Sequence, residues 1–339
     1  MGRDFGLVVL AVAVVACGGG PREDGPSTTA LTTISAGMMS TDTGDTSTGA
    51  ATGDDDDDDD KLDLADDTGS PQMNGCEAID FLFVLDNSES MSTYQMALAE
   101  QFPDFITSMF DVLPEDIDVH VGLTTTDFDS GCAAAESTQN CQSTATVDEV
   151  LAHYQRPDDG HDGGNGTQGR LFEFGGTRFF ETNSNEDPTD LSDWFSQAAV
   201  AAGEDGCSFE MPVAAAGFVS HPANDATNAG FIRDEGALLV IFFLTDEPDK
   251  SPESKDLYGE MLVDAKANCG GADCILISGL VPTCVSEINQ KLWQFMGLFD
   301  EEDDPPVGDI EATNDYTAVF GDALATTIAE QCAEIPVIP

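Results

Sequence analysis

Basic residues are nearly absent from this chain. Lysine and arginine together number 11 in 339 residues, against 65 acidic residues, and the formal net charge is -54. A protein that grips phosphates needs a basic footprint, so this balance excludes nucleic-acid binding, and it equally disfavours attraction to an anionic membrane surface. Long apolar runs are also missing. The longest, Leu7–Ala16, is too short to span a bilayer comfortably. The four histidines, His120, His153, His161 and His221, are scattered, and no G-x-S-x-G elbow accompanies them, which argues against a serine hydrolase. No C-x-x-C pair occurs, which argues against a zinc site.

What is present begins with an export signal. Leu7–Ala16 fits the apolar region of a signal peptide, and Val14-Val15-Ala16-Cys17 follows it. That ending resembles the bacterial lipoprotein box. The resemblance implies that residues 1–17 are a lipoprotein signal and that Cys17 becomes the acylated first residue, attached to the membrane through its lipid. A plain secretory signal is the alternative. The implied location is the bacterial cell envelope, on the outer membrane, facing the periplasm or the outside. Residues 18–75 are rich in Thr, Ser, Gly, Ala and Asp and include the aspartate run Asp54–Asp60. Such a segment has too little apolar surface to offset ordering entropy, so a disordered, charge-extended tether is expected. Beyond Cys17 the cysteines are Cys76, Cys132, Cys141, Cys207, Cys269, Cys274, Cys284 and Cys332. An even count in an exported chain reads as disulfides. Cys132 with Cys141 and Cys269 with Cys274 are the simplest pairings.

Residues 76–339 are expected to fold. Ala78–Leu85 and Ala237–Leu244 are apolar runs of the kind buried on both faces of a sheet, and Cys274–Val281 is a third. Ile117–Thr124 alternates as a strand does, and Leu171–Phe180 suggests an edge strand or hairpin. Helical spacing marks Ser92–Leu113, with a break expected at Pro103. Further helices are expected over Leu191–Gly203, Met211–Val219, Ser254–Asn268, Val285–Phe299 and Tyr316–Cys332. Residues 127–170 read as an insertion, whose glycine-rich Gly160–Gly169 lacks the lysine of a phosphate loop and is expected to be a flexible surface loop. Strands alternating with helices predict an α/β fold: a doubly wound, mostly parallel sheet with helices on both faces. Ligands of such sheets bind beyond the carboxyl ends of the strands.

Two of those ends are rich in oxygen. The first run stops at Asp86-Asn87-Ser88-Glu89-Ser90 and the second at Thr245-Asp246-Glu247-Pro248-Asp249. Carboxylates and hydroxyls are hard donors suited to Mg²⁺, Mn²⁺ or Ca²⁺. A helix cap is the alternative use of Asp86, Ser88 and Ser90. Asp127 and Asp249 read as solvated loop charges, with support of the metal ligands from behind as the alternative. At this point the chain resembles the von Willebrand factor A-type domain, through D-x-S-x-S at Asp86, Ser88 and Ser90 and through Asp246 after a later buried strand. That resemblance implies a metal-ion-dependent adhesion site holding Mg²⁺, with Ca²⁺ or Mn²⁺ as alternatives. It also implies Ser208 as the middle ligand, and a protein partner whose Asp or Glu carboxylate completes the shell. Glu89, Glu210 and Glu247 depart from the family pattern. The implied role is recognition rather than turnover. The alternatives are an envelope scaffold with an inactive metal site, and a haloacid dehalogenase-type phosphohydrolase using Asp86, although the third position of its D-x-D pattern is here Ser88.

Overall fold

The computed structural model describes residues 75–129, 132, 143–160, 163–286, 289–300, 305–311, 316 and 322–335. Cys17, the aspartate run and Cys141 therefore lie outside the described residues. The described residues belong to one unit, Asp67–Pro339.

Six strands form one sheet: β1 (Ala78–Leu85), β2 (Asp118–Thr125), β3 (Phe179–Asn183), β4 (Ala237–Leu244), β5 (Ile275–Val281) and β6 (Val307–Asp309). Their spatial order is β3-β2-β1-β4-β5-β6, parallel throughout except for the antiparallel edge strand β3. The chain thus runs outward from β1 in both directions, and β1 and β4 lie at the point where the winding reverses. The predicted fold class is the observed one.

Alternation along the strands assigns two cores. Ile79, Phe81, Phe83 and Leu85 of β1 join Leu238, Val240, Phe242 and Leu244 of β4 on one face. That face is covered by α1 (Ser92–Val112), α3 (Thr189–Ala201) and the C-terminal helix α7 (Asp322–Glu334). Leu82, Val84, Leu239, Ile241 and Phe243 face the other way, onto α4 (Pro212–Phe218), α5 (Lys255–Ala265) and α6 (Lys291–Met296). Both central strands are buried along their whole length, which is why they read as unbroken apolar runs rather than alternating ones.

Several expectations are corrected. Helix α1 continues through Pro103 without restarting. Proline cannot bond the carbonyl four residues back, and here the Ser196 hydroxyl of α3 donates to that carbonyl, Ala99 O, at 2.7 Å. The region expected as helix from Val285 to Phe299 contains only α6, preceded by a turn over 283–286. The glycine-rich segment is packed where described: Gly166 O accepts from Thr125 N at 2.8 Å and from the Thr124 hydroxyl at 2.9 Å. Gly169 has φ 74°, and a β-carbon there would lie 2.5 Å from the backbone of Phe218, so only glycine fits. The insertion also holds a short helix, α2 (Val147–His153), started by a reciprocal Thr146–Glu149 capping box.

Cys132 pairs with Cys207, not with the nearer Cys141. The loop before α4 returns beside the start of the insertion, so proximity in space overrides proximity in sequence. Cys269–Cys274 forms as expected, and Cys76 pairs with Cys332 across the ends of the domain.

Below the amino ends of the strands, Lys266 is wholly buried and donates to Arg233 O and Ala237 O. Burial holds its ammonium down to about 8, against an ordinary lysine near 10.5. The unfolded chain therefore binds the proton more tightly, and stability rises with pH through the window from about 8 to about 10. Above that, unfolded tyrosines ionise while buried Tyr258 and Tyr316 resist, which reverses the trend. Denaturant titrations at pH 8 and pH 9, below the range where unfolded tyrosines ionise, are expected to show a gain of about 1 kcal/mol in the native chain and none comparable in Lys266→Met.

Candidate metal centre at the carboxyl end of the sheet

Three connections meet beyond the carboxyl ends of β1 and β4: residues 86–90 after β1, 206–211 before α4, and 245–254 after β4. Backbone bonds join them. Asp86 N donates to Leu244 O at 2.9 Å, Gly206 N to Asn87 O at 2.8 Å, Met211 N to Thr126 O at 3.2 Å and Lys250 N to Glu210 O at 2.8 Å. A β-carbon on Gly206 would lie 2.6 Å from the Asn87 side chain, so this approach also depends on glycine. The nearby Cys132–Cys207 disulfide fixes the middle connection to the insertion.

Asp86 is fully buried. Its Oδ1 accepts from Ser88 N at 2.9 Å and its Oδ2 from the Thr245 hydroxyl at 2.7 Å. The hydroxyls of Ser88 and Ser90 lie 3.1 Å apart, and Ser90 also bonds Asp246. Neither Asp86 nor either serine caps a helix: Ser88 precedes the short helical turn Glu89–Met91 without a side-chain cap bond, and the cap residue of α1 is Met91. The capping alternative therefore does not describe what these side chains do.

Glu210 lies on the second connection, within electrostatic reach of Asp86. It is fully buried, and its Oε2 accepts from the Thr126 hydroxyl at the end of β2. Its Oε1 has no hydrogen-bond partner, and neither has the buried Oδ1 of Asp246. Burial first, then the neighbouring Asp86 carboxylate, pushes Glu210 well above the usual carboxylate range. The same causes in the same order push Asp246 up to about 6, and burial raises Asp86. The Asp86 carboxylate thus raises two others, each with an unpartnered oxygen, in a place that water reaches poorly.

Ser208 lies two residues before Glu210 on the same connection. Its carbonyl accepts from Lys250 Nζ at 3.0 Å, and among the described residues no hydrogen bond links its hydroxyl to Asp86, Ser88, Ser90 or Asp246. The other departures from the family pattern separate in space. Glu89 is exposed, and Glu247 is bound by Lys250 at 2.6 Å. Asp127 and Asp249 are not solvated loop charges. Asp127 is buried and receives Asp129 N at 3.0 Å, while Asp249 receives Val213 N at 3.0 Å and the Ser251 hydroxyl at 2.6 Å. Asp249 thereby holds the β4–α5 connection to the start of α4.

No protein-family model and no curated protein matches this chain. Solved structures do. A von Willebrand factor type A protein from Catenulispora acidiphila aligns with TM-score 0.35 and 12% identity, over 76% of this chain and 48% of that one. Proximal thread matrix protein 1 from the mussel byssus aligns with TM-score 0.36 and 9% identity, over 77% and 49%. The pilus adhesin SpaC from Lactobacillus rhamnosus GG aligns with TM-score 0.37 and 11% identity, over 76% and 30%. The chain spans about half the length of the first two and less of the third.

The donor set fits a hard divalent cation. Every candidate atom is an oxygen, and the two unpartnered ones belong to carboxylates. The cysteine–histidine group Cys132, His153 and Cys207 offers no comparable site, because its two sulfurs are joined to each other.

Proposed function

We propose that this chain is a lipid-anchored recognition module of the bacterial cell envelope, whose binding face is the carboxyl end of the sheet and whose face is organised by a divalent cation. The observation that carries this reading is the pair of unpartnered buried carboxylate oxygens on Glu210 and Asp246, beside Asp86. Asp86, Ser88, Ser90 and Asp246 would hold the ion, and the sequence resemblance adds Ser208. Bound there, the cation supplies charge that offsets the carboxylates and a fixed point from which the three connections present a surface. Mg²⁺, Ca²⁺ and Mn²⁺ all suit oxygen donors. Acylated Cys17 would place the domain at the membrane, with residues 18–75 as the spacer.

The histidines support recognition rather than catalysis. His120 bonds Phe231 O and lies near Asp80, in the amino-terminal half of the sheet, and His153 bonds Asp129.

Two measurements test this reading. Cell fractionation is expected to find the native chain in the membrane pellet and Cys17→Ser in the soluble fraction; an unchanged distribution would remove the lipid anchor. Purified protein is expected to bind envelope fragments in Ca²⁺ or Mg²⁺ and to lose that binding in chelator. Asp246→Asn should lose it in every buffer. Binding indifferent to cation and to Asp246 would contradict the proposed face.

A further inference from the structure

The glycine-rich segment is bonded to the end of β2 through Gly166 and Phe172. Beside it lies a polar cavity of about 550 Å³, a volume that suits a small molecule rather than a bare ion. Only 11 of the 339 residues are basic, and two of them, Arg170 and Arg178, line this cavity. Each guanidinium is anchored by a neutral acceptor. Arg170 Nη1 donates to Gln168 Oε1 at 2.6 Å, and Arg178 Nη1 donates to Leu171 O at 2.6 Å. Gln168 is buried and holds φ 58°, a left-handed backbone that a non-glycine residue adopts at a cost, so the fold accepts local strain where it places that acceptor. Arg178 also pairs with Glu173 at 3.2 Å, and the Glu173 side chain is 51% exposed. An exposed pair of this kind is weak and yields to a better-placed anion. Among the described residues, no acceptor takes the backbone N–H of Gly163, Gly164 or Asn165, which form one wall. No aromatic or large aliphatic side chain lines the cavity among the described residues, which disfavours an apolar ligand.

We infer that this cavity binds a small polar anion, a molecule that carries one carboxylate or phosphate group among hydroxyls. Arginine forks match the oxygens of either group, and successive backbone N–H groups add donors without adding bulk. Glu173 and the Thr227 hydroxyl, which itself donates to Asn224 O at 2.9 Å, are left as acceptors for the ligand's hydroxyls. The lining side chains carry two positive charges and one negative, a local excess opposite in sign to the net charge of -54. At physiological ionic strength the Debye length is about 8 Å, so distant carboxylates are screened while contacts inside the cavity are not. The site uses none of the residues proposed to hold the cation, and it stands whether or not that reading does.

The test is calorimetric titration of glucose 6-phosphate, glucuronate and glucose into the oxidised, metal-free full-length chain. One-to-one binding is expected for at least one of the two anions and not for glucose. The stronger of the two identifies which anionic group the cavity prefers, and either supports the site. Arg170→Gln and Arg178→Gln are each expected to weaken that binding about tenfold. Glu173→Gln is expected to tighten it about threefold, because it releases Arg178 and removes a competing carboxylate. Thermal unfolding serves as the folding control. Should an arginine variant fail to fold, Glu173→Gln decides, since it replaces an exposed side chain whose role is the ion pair. Absence of saturable binding by either anion, equal binding of glucose, or native affinity in every folded variant would overturn the inference.

Discussion

Calcium at about a hundred times its dissociation constant is expected to stabilise the oxidised chain by about 2.7 kcal/mol, and Asp86→Asn to abolish that gain. For a domain of this size the gain corresponds to a rise of about 5–10 °C in melting temperature. Asp86 is the carboxylate common to the cluster: its charge raises both Glu210 and Asp246. Removing that charge takes away the central ligand of the proposed site. The substitution itself is nearly neutral without cation. It relieves a buried charge, but it sets an amide against the Thr245 hydroxyl that now donates to Oδ2. Melting curves in CaCl₂ and in chelator therefore separate the ligand role from the packing role. An equal calcium-induced shift in both proteins would show that the stabilisation comes from diffuse attraction to an acidic surface.

The second large effect concerns the frame that holds the sheet closed. Replacing Cys76 and Cys332 by alanine is expected to cost about 3–5 kcal/mol, because that bond closes a loop spanning 256 positions in sequence. It joins the entry to β1 with the end of α7, where Cys76 N also donates to Cys332 O at 2.6 Å. Replacing Cys269 and Cys274, whose separation is 5, should cost nearer 2 kcal/mol on the same reasoning. Denaturant unfolding of the two double variants gives the comparison. Equal losses would mean that local packing, rather than restriction of the unfolded chain, sets the contribution of each bond.

The strand ends were legible because their physics is local. A strand buried on both faces must be apolar throughout, so β1 and β4 announce themselves, and the polar residues directly after them must lie at the carboxyl edge of the sheet. What was not legible depends on contacts between distant segments. Pro103 is accommodated because a serine on another helix supplies the missing donor. Cys132 finds Cys207 because the insertion and the loop before α4 converge. The burial of Glu210 against Thr126 depends on which way a side chain in an irregular segment points, and no periodicity governs that direction. A local signal was present at α2, whose Thr146 and Glu149 stand at capping-box spacing. The pairing of buried Asp80 with half-buried Arg233 gave no signal beyond one carboxylate interrupting an apolar strand. Arg233 donates to it through both Nε and its backbone N at 2.8 Å.

The most direct measurement is a crystal structure of the oxidised protein soaked in Mn²⁺, with data collected for anomalous scattering. One strong peak is expected within coordination distance, about 2.0–2.6 Å, of oxygens from Asp86, Ser88, Ser90 or Asp246 at the carboxyl end of the sheet. Peaks confined to acidic side chains elsewhere on the surface, with none at Asp86, Ser88, Ser90 and Asp246, would contradict the account of this face as a cation centre.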